Sequence, residues 1–384
     1  MWDIVYGSDT FKFMKTSSGS AVILGLMSGT SLDGLDLACV EFTWSQESVS
    51  TQSKNKYETT WSYRFIQTQG VPYDDLWKSR LQSAADLSAR DLEKLHREYG
   101  NYLGHHASTF LTDHGLDPLL IASHGHTVFH EPAQRYTLQI GGLEEIASAT
   151  QRAVAGDFRS LDVARGGQGA PLVPIGDSLL FPEYCACVNL GGFCNVSYDI
   201  GNSRTAFDLG VCNLLLNQLS ESLPGGVDWG GKLAREGQVI PSLLDHLRDD
   251  PYYSLPSPRS LDRVWYDKML WPIVQTYLGE YSRADLLATA CHHIAWSIAM
   301  QLELPRESAL LLTGGGAHND YLVECIREQL PYGNIVVPDE QLIEFKEALI
   351  FALLGLLRSH DQINVLASVT GADRDSVAGL ICRP

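Results

Sequence analysis

Two apolar runs joined by a short polar turn near the start of the chain place the strongest constraint on its fold. Residues 21–27 and 35–40 both read as strands, and Asp33-Gly34 between them is a dipeptide that accepts positive φ in a tight hairpin. We therefore predict an antiparallel pair with residues 28–34 at its tip. Such a tip presents several unpaired backbone N–H groups, which favours a phosphate-binding turn.

The side chains of this turn suit a nucleotide phosphate. The hydroxyls of Thr30 and Ser31 add hydrogen-bond donors, and Asp33 or Asp36 offers a carboxylate to the Mg²⁺ that accompanies a nucleotide. A Walker A loop is excluded because glycine, not lysine, precedes Thr30. The alternative is an ordinary surface hairpin without a ligand. The candidate metal ligand is therefore Asp33 or Asp36, within a candidate cofactor-binding loop formed by Gly29, Thr30, Ser31, Leu32, Asp33, Gly34, Leu35 and Asp36.

Length, charge and cysteine content limit the class of protein. The chain has 384 residues, of which 45% are apolar, so two domains with a cleft between them are expected. A formal net charge of -18 argues against nucleic acid and anionic membranes as partners. The eight cysteines form no C-x-x-C pair, which is typical of reduced thiols and predicts a cytoplasmic protein.

The order of predicted elements indicates two α/β units. A meander of three strands, a helix that begins at Ser88 and a buried strand at residues 119–123 come first. We place the start of a repeat at Tyr136, which leads to a second meander over residues 185–209. Hinges are expected near residues 140–145 and after Leu353, and no signal peptide or membrane span is indicated. The predicted domains are an N-terminal extension (1–20), a first domain (21–142 plus 354–384) and a second domain (143–353).

One segment combines acids and arginines with a glycine-rich bend. Asp157, Arg159, Asp162 and Arg165 precede the sequence Gly-Gly-Gln-Gly at residues 166–169. A carboxylate in a dry cleft, oriented by an arginine or a backbone donor, can act as a general base, and the glycines let a substrate approach the main chain. Alternatively, the acids and arginines form ion pairs that hold the loop, and both interpretations can apply to different aspartates.

Two further glycine-rich turns accompany the first hairpin. One lies at the tip of the second meander, and the other lies between a strand and a helix. Each alone is more often a simple tight turn, but together they match a nucleotide held between two domains, with the hairpins at the phosphates and the last turn at adenosine. Asp208, at the predicted end of a strand, is a second candidate ligand for Mg²⁺. The glycines in question are Gly191, Gly192, Gly314, Gly315 and Gly316.

Taken together, these motifs resemble the anhydro-N-acetylmuramic acid kinase family of the sugar kinase, Hsp70 and actin superfamily. The resemblance covers about residues 21–380 and is carried, in order, by residues 25–36, 123–127, 156–174, 189–195, 207–213 and 313–319. It implies two ribonuclease H-like α/β domains with an interdomain cleft, which is the architecture of actin-like ATPases and sugar kinases.

The resemblance also implies an activity. Members use ATP and Mg²⁺ to hydrolyse the 1,6-anhydro ring of 1,6-anhydro-N-acetylmuramic acid and to phosphorylate O6, giving N-acetylmuramic acid 6-phosphate for cell-wall sugar recycling. By position, Asp162 matches the catalytic aspartate that activates water, and Glu347 matches an acid of the sugar site. A cytoplasmic homodimer is implied as well. The other implied contacts are with the nucleotide at Asn195 and with the sugar at His126, Thr127, Arg159 and Gln168.

The chain departs from the family pattern in two places. Residues 258–264 read Pro-Arg-Ser-Leu-Asp-Arg-Val where the family commonly has Pro-Lys-Ser-(Thr or Leu)-Gly-x-Glu, so Asp262 and Val264 replace a glycine and a glutamate. Leu209 stands where the family more usually has threonine. These changes leave open a different 1,6-anhydrosugar, such as levoglucosan. A further alternative is a non-catalytic nucleotide switch of the Hsp70 or actin kind.

Overall fold

A computed structural model describes residues 18–29, 32–51, 54–201, 203–257, 259–302 and 308–384. The chain divides into two compact units, of which the first ends at Phe181 and resumes at Glu347, while the second comprises Pro182–Lys346. Most of the predicted N-terminal extension lies outside the described residues. Residues 18–20, which were assigned to that extension, belong to the first strand.

Each unit is built around one main sheet, and two strands of the first unit form a separate hairpin. In chain order the strands are β1 (Ser18–Met27), β2 (Gly34–Thr51), β3 (Lys54–Pro72), β4 (Leu120–Ser123), β5 (His126–Glu131), β6 (Tyr136–Ile140), β7 (Val154–Gly156), β8 (Ala186–Leu190), β9 (Phe193–Ile200), β10 (Ser203–Val211), β11 (Ala309–Thr313), β12 (Asn334–Val336) and β13 (Leu380–Cys382).

Helices cover both sheets and carry several of the site residues. In chain order they are α1 (Asp75–Gln82), α2 (Ala89–His114), α3 (Leu143–Thr150), α4 (Ser160–Ala164), α5 (Val173–Leu180), α6 (Asn213–Ser220), α7 (Lys232–Glu236), α8 (Pro241–Arg248), α9 (Arg263–Trp265), α10 (Trp271–Gln275), α11 (Arg283–Gln301), α12 (Asp320–Gln329), α13 (Glu340–Ser359) and α14 (Ala367–Thr370).

The two main sheets have the same topology. In the first unit β3, β2 and β1 form an antiparallel meander, β4 and β7 continue the sheet in parallel with β1, and β13 closes the edge. In the second unit β10, β9 and β8 form the meander, and β11 and β12 continue it in parallel. When the strands of each main sheet are numbered in chain order, both sheets contain the strand order 3-2-1-4-5. The prediction of two ribonuclease H-like α/β units is confirmed.

The first hairpin forms as predicted, although its tip has a different backbone. β1 and β2 pair antiparallel, with Met27 opposite Asp36. The left-handed residue is Leu32, with φ 59, and not Gly34. Gly34 instead lies against β3, where an added Cβ would be 2.4 Å from the carbonyl oxygen of Val71. The glycine therefore allows close approach of two strands, and the expectation of positive φ at this position was wrong.

The helix predicted to begin at Ser88 is confirmed. The Ser88 side chain accepts a hydrogen bond from the backbone N–H of Asp91, which satisfies one of the free donors at the start of α2. Gly115 ends the helix in the left-handed conformation, with φ 62. The buried stripe of α2, which includes Tyr99 and Leu103, packs into the core of the first unit.

The boundaries between the units need correction. β6 pairs only with β5, and β7 joins the main sheet of the first unit, so residues 143–181 belong to that unit. The chain returns to the first unit at Glu347, inside α13, and not after Leu353. The predicted boundaries after residues 142 and 353 are replaced by these points. The repeat accordingly begins at β8 and not at Tyr136.

Two expectations from composition can be compared with the structure. All eight cysteines are free thiols, as predicted. Within the described ranges, no helix combines the length and the apolar character that crossing a membrane requires.

Candidate active site

Asp162 is buried at the centre of the predicted catalytic segment. It lies in α4 and its side chain is 1% exposed. Its Oδ2 accepts a hydrogen bond of 2.8 Å from the backbone N–H of Gly169, and its Oδ1 accepts one of 2.7 Å from the hydroxyl of Thr370. Two neutral donors, one from the same bend and one from α14, thus fix the orientation of the carboxylate.

The ion pairs that the spacing suggested as an alternative do not form within the described residues. Arg159 donates to the carbonyl oxygen of Gly169 at 2.7 Å, and Arg165 donates to the carbonyl oxygen of Asp375 at 3.4 Å. The carboxylate of Asp157 accepts from the backbone N–H of Ser160 at 3.3 Å. The arginines therefore stabilise the bend through backbone carbonyls, and the two aspartates bind N–H or O–H donors.

The glycines of the bend make room for the carboxylate. A Cβ on Gly167 would lie 2.2 Å from Oδ2 of Asp162, so only glycine fits beside this side chain. Gly169 has φ 67, and its Cβ would lie 2.6 Å from Cγ2 of Val163. The sequence predicted that these glycines expose the main chain to a substrate. The structure adds that they seat the general-base candidate.

Arg159 and His126 are two of the predicted sugar contacts in the first unit. Arg159 is half-buried and donates to Nε2 of His124 at 2.9 Å, and burial lowers the pKa of its guanidinium to about 10 while the charge of Glu347 opposes this shift. His126 is buried, which lowers the pKa of its imidazole. Among the described residues its Nδ1 has no hydrogen-bond partner, so a ligand polar group would satisfy it.

The remaining sugar contacts lie in the same unit. The side chain of Gln168 is exposed, while its backbone N–H donates to the carbonyl oxygen of Thr370 at 2.8 Å. Thr127 accepts from the side-chain amide of Gln139 at 3.3 Å and lies in β5, which begins within the predicted loop. Glu347 is exposed on α13. The structure brings Arg159 and Gln168 to the bend around Asp162, and Glu347 is within electrostatic range of Arg159.

The predicted phosphate loop is described in part. Thr30 and Ser31 lie outside the described residues. Gly29 is half-buried, Asp33 is exposed, and the N–H of Leu32 donates to the carbonyl oxygen of Gly29 at 3.4 Å. Leu35 is fully buried in the core and Asp36 lies within β2, so both residues belong to the strand and not to the tip of the hairpin. The described residues of the tip are therefore Ser28, Gly29, Leu32 and Asp33.

In the second unit, polar side chains form a row across three strands. Asn195 lies opposite Asn189 on one side and opposite Asp208 on the other. Cross-strand partners project from the same face of a sheet, so these three side chains are neighbours. A Cβ on Gly314 would lie 2.4 Å from Oδ1 of Asn189, which places the third glycine turn beside the row. The predicted residues Asn195, Asp208 and Gly314 therefore lie together.

Asp208 occupies an unusual environment for an acid. Burial raises the pKa of its carboxyl from 3.8 to about 6, and the N–H of Leu261, which donates to Oδ2 at 2.8 Å, partly opposes this shift. Its backbone is also bound, because the hydroxyl of Tyr252 donates to its carbonyl oxygen at 2.6 Å. Within the described part of the chain, no cluster of three or more His, Cys, Asp or Glu side chains is arranged for a metal ion. One or two carboxylates suffice for Mg²⁺ that is bound with a nucleotide.

The glycine turns of the second unit differ in their use of the backbone. The carbonyl oxygens of Gly191 and Gly192 accept from the N–H groups of Asn213 and Cys212, each at 3.0 Å, at the start of α6. The turn after β11 begins with Gly314 at φ 81 and continues as a short 3₁₀ helix, Gly315–His318, before α12. The strand-to-turn-to-helix order predicted for this segment is therefore present.

Several residues of the site were missed by the sequence reasoning. Thr370 is separated from Asp162 by 208 positions, and nothing local marks it. His124 lies in the segment 123–127 that carries the family resemblance, but no role was predicted for it. Ser28, which accepts a hydrogen bond of 2.8 Å from the hydroxyl of Tyr73, was placed in the predicted turn but was given no role of its own. Its position directly before Gly29 was the available signal.

Comparisons with known proteins agree with these motifs. The sequence model described as "Anhydro-N-acetylmuramic acid kinase" matches residues 21–384. A protein of that name from Actinobacillus pleuropneumoniae serotype 5b is 33% identical over 373 residues, covering 93% of this chain and 98% of its own. Another from Synechococcus elongatus is 32% identical over 386 residues, with the same coverages. Component A of (R)-2-hydroxyglutaryl-CoA dehydratase from Acidaminococcus fermentans, a solved structure, is 11% identical, with a TM-score of 0.42 over 88% of this chain and 99% of its own.

Proposed function

The chain belongs to the anhydro-N-acetylmuramic acid kinase family, and on that premise we propose that it is an ATP-dependent kinase for 1,6-anhydro-N-acetylmuramic acid. Water adds to C1 of the sugar, the bond between C1 and O6 breaks, and O6 takes the γ-phosphoryl group while ADP leaves. The products are N-acetylmuramic acid 6-phosphate and ADP, which fits a role in cell-wall sugar recycling. The proposal is supported by the carboxylate of Asp162, which lies within the family's motif and is oriented by two hydrogen bonds.

Asp162 is the proposed general base. A carboxylate has about four acceptor positions, and the two hydrogen bonds described for Asp162 leave capacity for one from water. The same two hydrogen bonds hold the side chain in one rotamer, which reduces the reorganisation needed when the proton moves from water to the carboxylate. His126, Thr127, Arg159, Gln168 and Glu347 are the proposed sugar contacts.

The phosphate-binding role is proposed for Gly29 to Asp36, and nucleotide contacts are proposed for Asn195 and for the glycines at 191–192 and 314–316. Asp33 and Asp208 offer the hard oxygen ligands that Mg²⁺ prefers, so both are candidate ligands. When bound, Mg²⁺ neutralises charge on the phosphate oxygens during transfer. A homodimer stays a prediction, which light scattering of the purified protein tests.

Oxygen labelling tests the reaction. With ATP, Mg²⁺ and 1,6-anhydro-N-acetylmuramic acid in ¹⁸O-water, mass spectrometry should find the label at C1 and ³¹P NMR should find the phosphate on O6. Label in inorganic phosphate without a sugar product would mean ATP hydrolysis alone and would contradict the proposal.

Asp162→Asn tests the general base. The amide oxygen can still accept from Gly169, and the amide N–H₂ can donate to Thr370, whose hydroxyl also accepts. We therefore expect the variant to fold and bind ATP but to lose turnover, which also separates an enzyme from a non-catalytic switch. Asp157→Asn is the matched control, because asparagine tolerates the left-handed backbone, φ 55, of residue 157 and keeps its acceptor for Ser160.

A different anhydrosugar is the second candidate substrate, since Asp262 and Val264 depart from the family pattern. The carboxylate of Asp262 accepts from the N–H of Trp265 at 2.7 Å and thus caps α9, while Val264 is 55% exposed. The change to Asp262 is therefore explained by a local helix cap. Comparison of kcat/KM for levoglucosan and for 1,6-anhydro-N-acetylmuramic acid decides between the two substrates.

A further inference from the structure

His124 lies where two parallel strands end side by side. β1 and β4 pair in parallel, with Leu26 opposite Ser123. The chain leaves β1 into Ser28 and leaves β4 into His124, whose N–H donates to the carbonyl oxygen of Leu26 at 3.0 Å. The residue that precedes the predicted phosphate loop and this buried histidine are therefore neighbours. His124 Nδ1 lies 3.3 Å from the carbonyl oxygen of Ser28.

The hydrogen bonds of His124 determine its tautomer. Nε2 lies 2.9 Å from Nη2 and 3.2 Å from Nε of Arg159. A guanidinium has only donors, so Nε2 must supply the lone pair. Nδ1 then carries the proton and donates to the carbonyl oxygen of Gly125 at 2.9 Å. Burial and the adjacent Arg159 lower the pKa of the imidazole to about 3, which agrees with a neutral ring.

The contacts continue from Arg159 to the general base. Nη1 of Arg159 donates to the carbonyl oxygen of Gly169 at 2.7 Å, and the N–H of the same glycine donates to Asp162 at 2.8 Å. Gly169 has a left-handed backbone, φ 67, that brings its two polar groups to these partners. His124 therefore holds the guanidinium of Arg159, and Arg159 in turn holds Gly169, whose N–H orients the carboxylate of Asp162.

We propose that His124 is a positioning residue for ring opening, which acts through Arg159 and Gly169 to hold the carboxylate of Asp162. This inference rests on the proposed function for its kinetic consequence but not for its geometry. His124 contacts neither the sugar nor the nucleotide in this role. The neutral ring of His124 offers Nε2 as a hydrogen-bond acceptor to Arg159. A protonated imidazole in the same place would repel the guanidinium.

Two substitutions separate the two ring nitrogens. The amide of His124→Asn reaches the place of Nδ1 and keeps a donor for Gly125, but it leaves Arg159 without an acceptor. The longer His124→Gln can place its amide oxygen near Nε2 and keep that acceptor. Since a misplacement of about 1 Å at a reacting group costs on the order of 100-fold in rate, we expect kcat to fall ~10- to 100-fold in His124→Asn with KM for ATP nearly unchanged. His124→Gln should restore most of kcat.

The exchange rate of the Gly169 amide proton gives a readout that does not depend on the substrate. In His124→Asn this proton should exchange at least ~10-fold faster than in the wild type, with core amides unaffected. Unchanged protection of Gly169, or equal kcat in His124→Asn and the wild type, would overturn the inference. If His124→Asn fails to fold, His124→Gln alone tests the inference. A folded His124→Gln variant with kcat as low as that of Asp162→Asn would contradict the positioning role of His124. Failure of the wild type to phosphorylate the anhydrosugar would refute the proposed function, and Gly169 protection would still decide the role of His124.

Discussion

Gly167→Ala should displace the carboxylate of Asp162, the proposed general base, without changing any polar group. The added Cβ would lie 2.2 Å from Oδ2 and 2.7 Å from Cγ of Asp162, and 2.9 Å from Cβ of Ala372. Ordinary contact requires the carboxylate to move by about 1 Å, which stretches its hydrogen bond from Gly169 beyond the useful range. A displacement of about 1 Å costs on the order of 100-fold in rate. Loss of one hydrogen bond to a charged group costs about 1.5–3 kcal/mol of unfolding free energy.

Gly166→Ala is the matched control for that experiment. Gly166 has φ 85, but no atom lies within 4 Å of its Cβ position, so alanine there brings backbone strain without a clash. The strain costs about 1–2 kcal/mol. Steady-state kcat in a coupled ADP assay, together with urea unfolding, should show a ~100-fold lower kcat for Gly167→Ala and a nearly wild-type kcat for Gly166→Ala at comparable stability. A Gly167→Ala enzyme with wild-type kcat would refute the placement of the base.

Substitutions at three further positions test other parts of the two units. The folded pKa of Asp208, about 6, lies above its unfolded value, so its contribution to unfolding free energy falls as pH rises from about 4 to about 6. Asp208→Asn should remove this pH dependence, at most about 3 kcal/mol, in urea unfolding curves, and an identical slope in both proteins would contradict the assignment. Thr370→Val should lower kcat about 10-fold while Thr370→Ser retains it, because only the hydroxyl donates to Asp162; equal rates would mean that the contact is dispensable. Gly314→Ala places a Cβ 2.4 Å from Asn189 at φ 81 and should raise KM for ATP about 10-fold, and an unchanged KM would separate this turn from the nucleotide.

The elements that could be predicted are those with a strong local signal. The apolar runs of β1, β2 and β4 and the Ser88 cap of α2 each lie within a few residues, and the structure contains all of them. The repeated meander was found in the same way. Local patterns do not report which strand pairs with which, and for this reason β7 was placed in the wrong unit.

The candidate site shows the same limit at the level of single residues. The acids beside a glycine bend marked the segment, but the choice of Asp162 within it came from the resemblance to the family. Thr370, which donates to Asp162, lies in a short helix 208 positions later. Gly169 links Asp162 to Arg159, and this link depends on the left-handed backbone of Gly169. Such contacts arise from the fold and have no periodicity to detect. The role of Gly34 was misjudged for a related reason, because the close approach of Val71 depends on a strand that begins about twenty residues further along.

The contact between Asp162 and Thr370 has a consequence for the timing of biosynthesis. Chains emerge from the ribosome from the N-terminus, and long-range contacts form late in folding. α14 and β13, which borders β7, are made last. A nascent chain that already contains the first hairpin and the bend at residues 166–169 therefore still lacks the Thr370 hydroxyl that donates to Asp162.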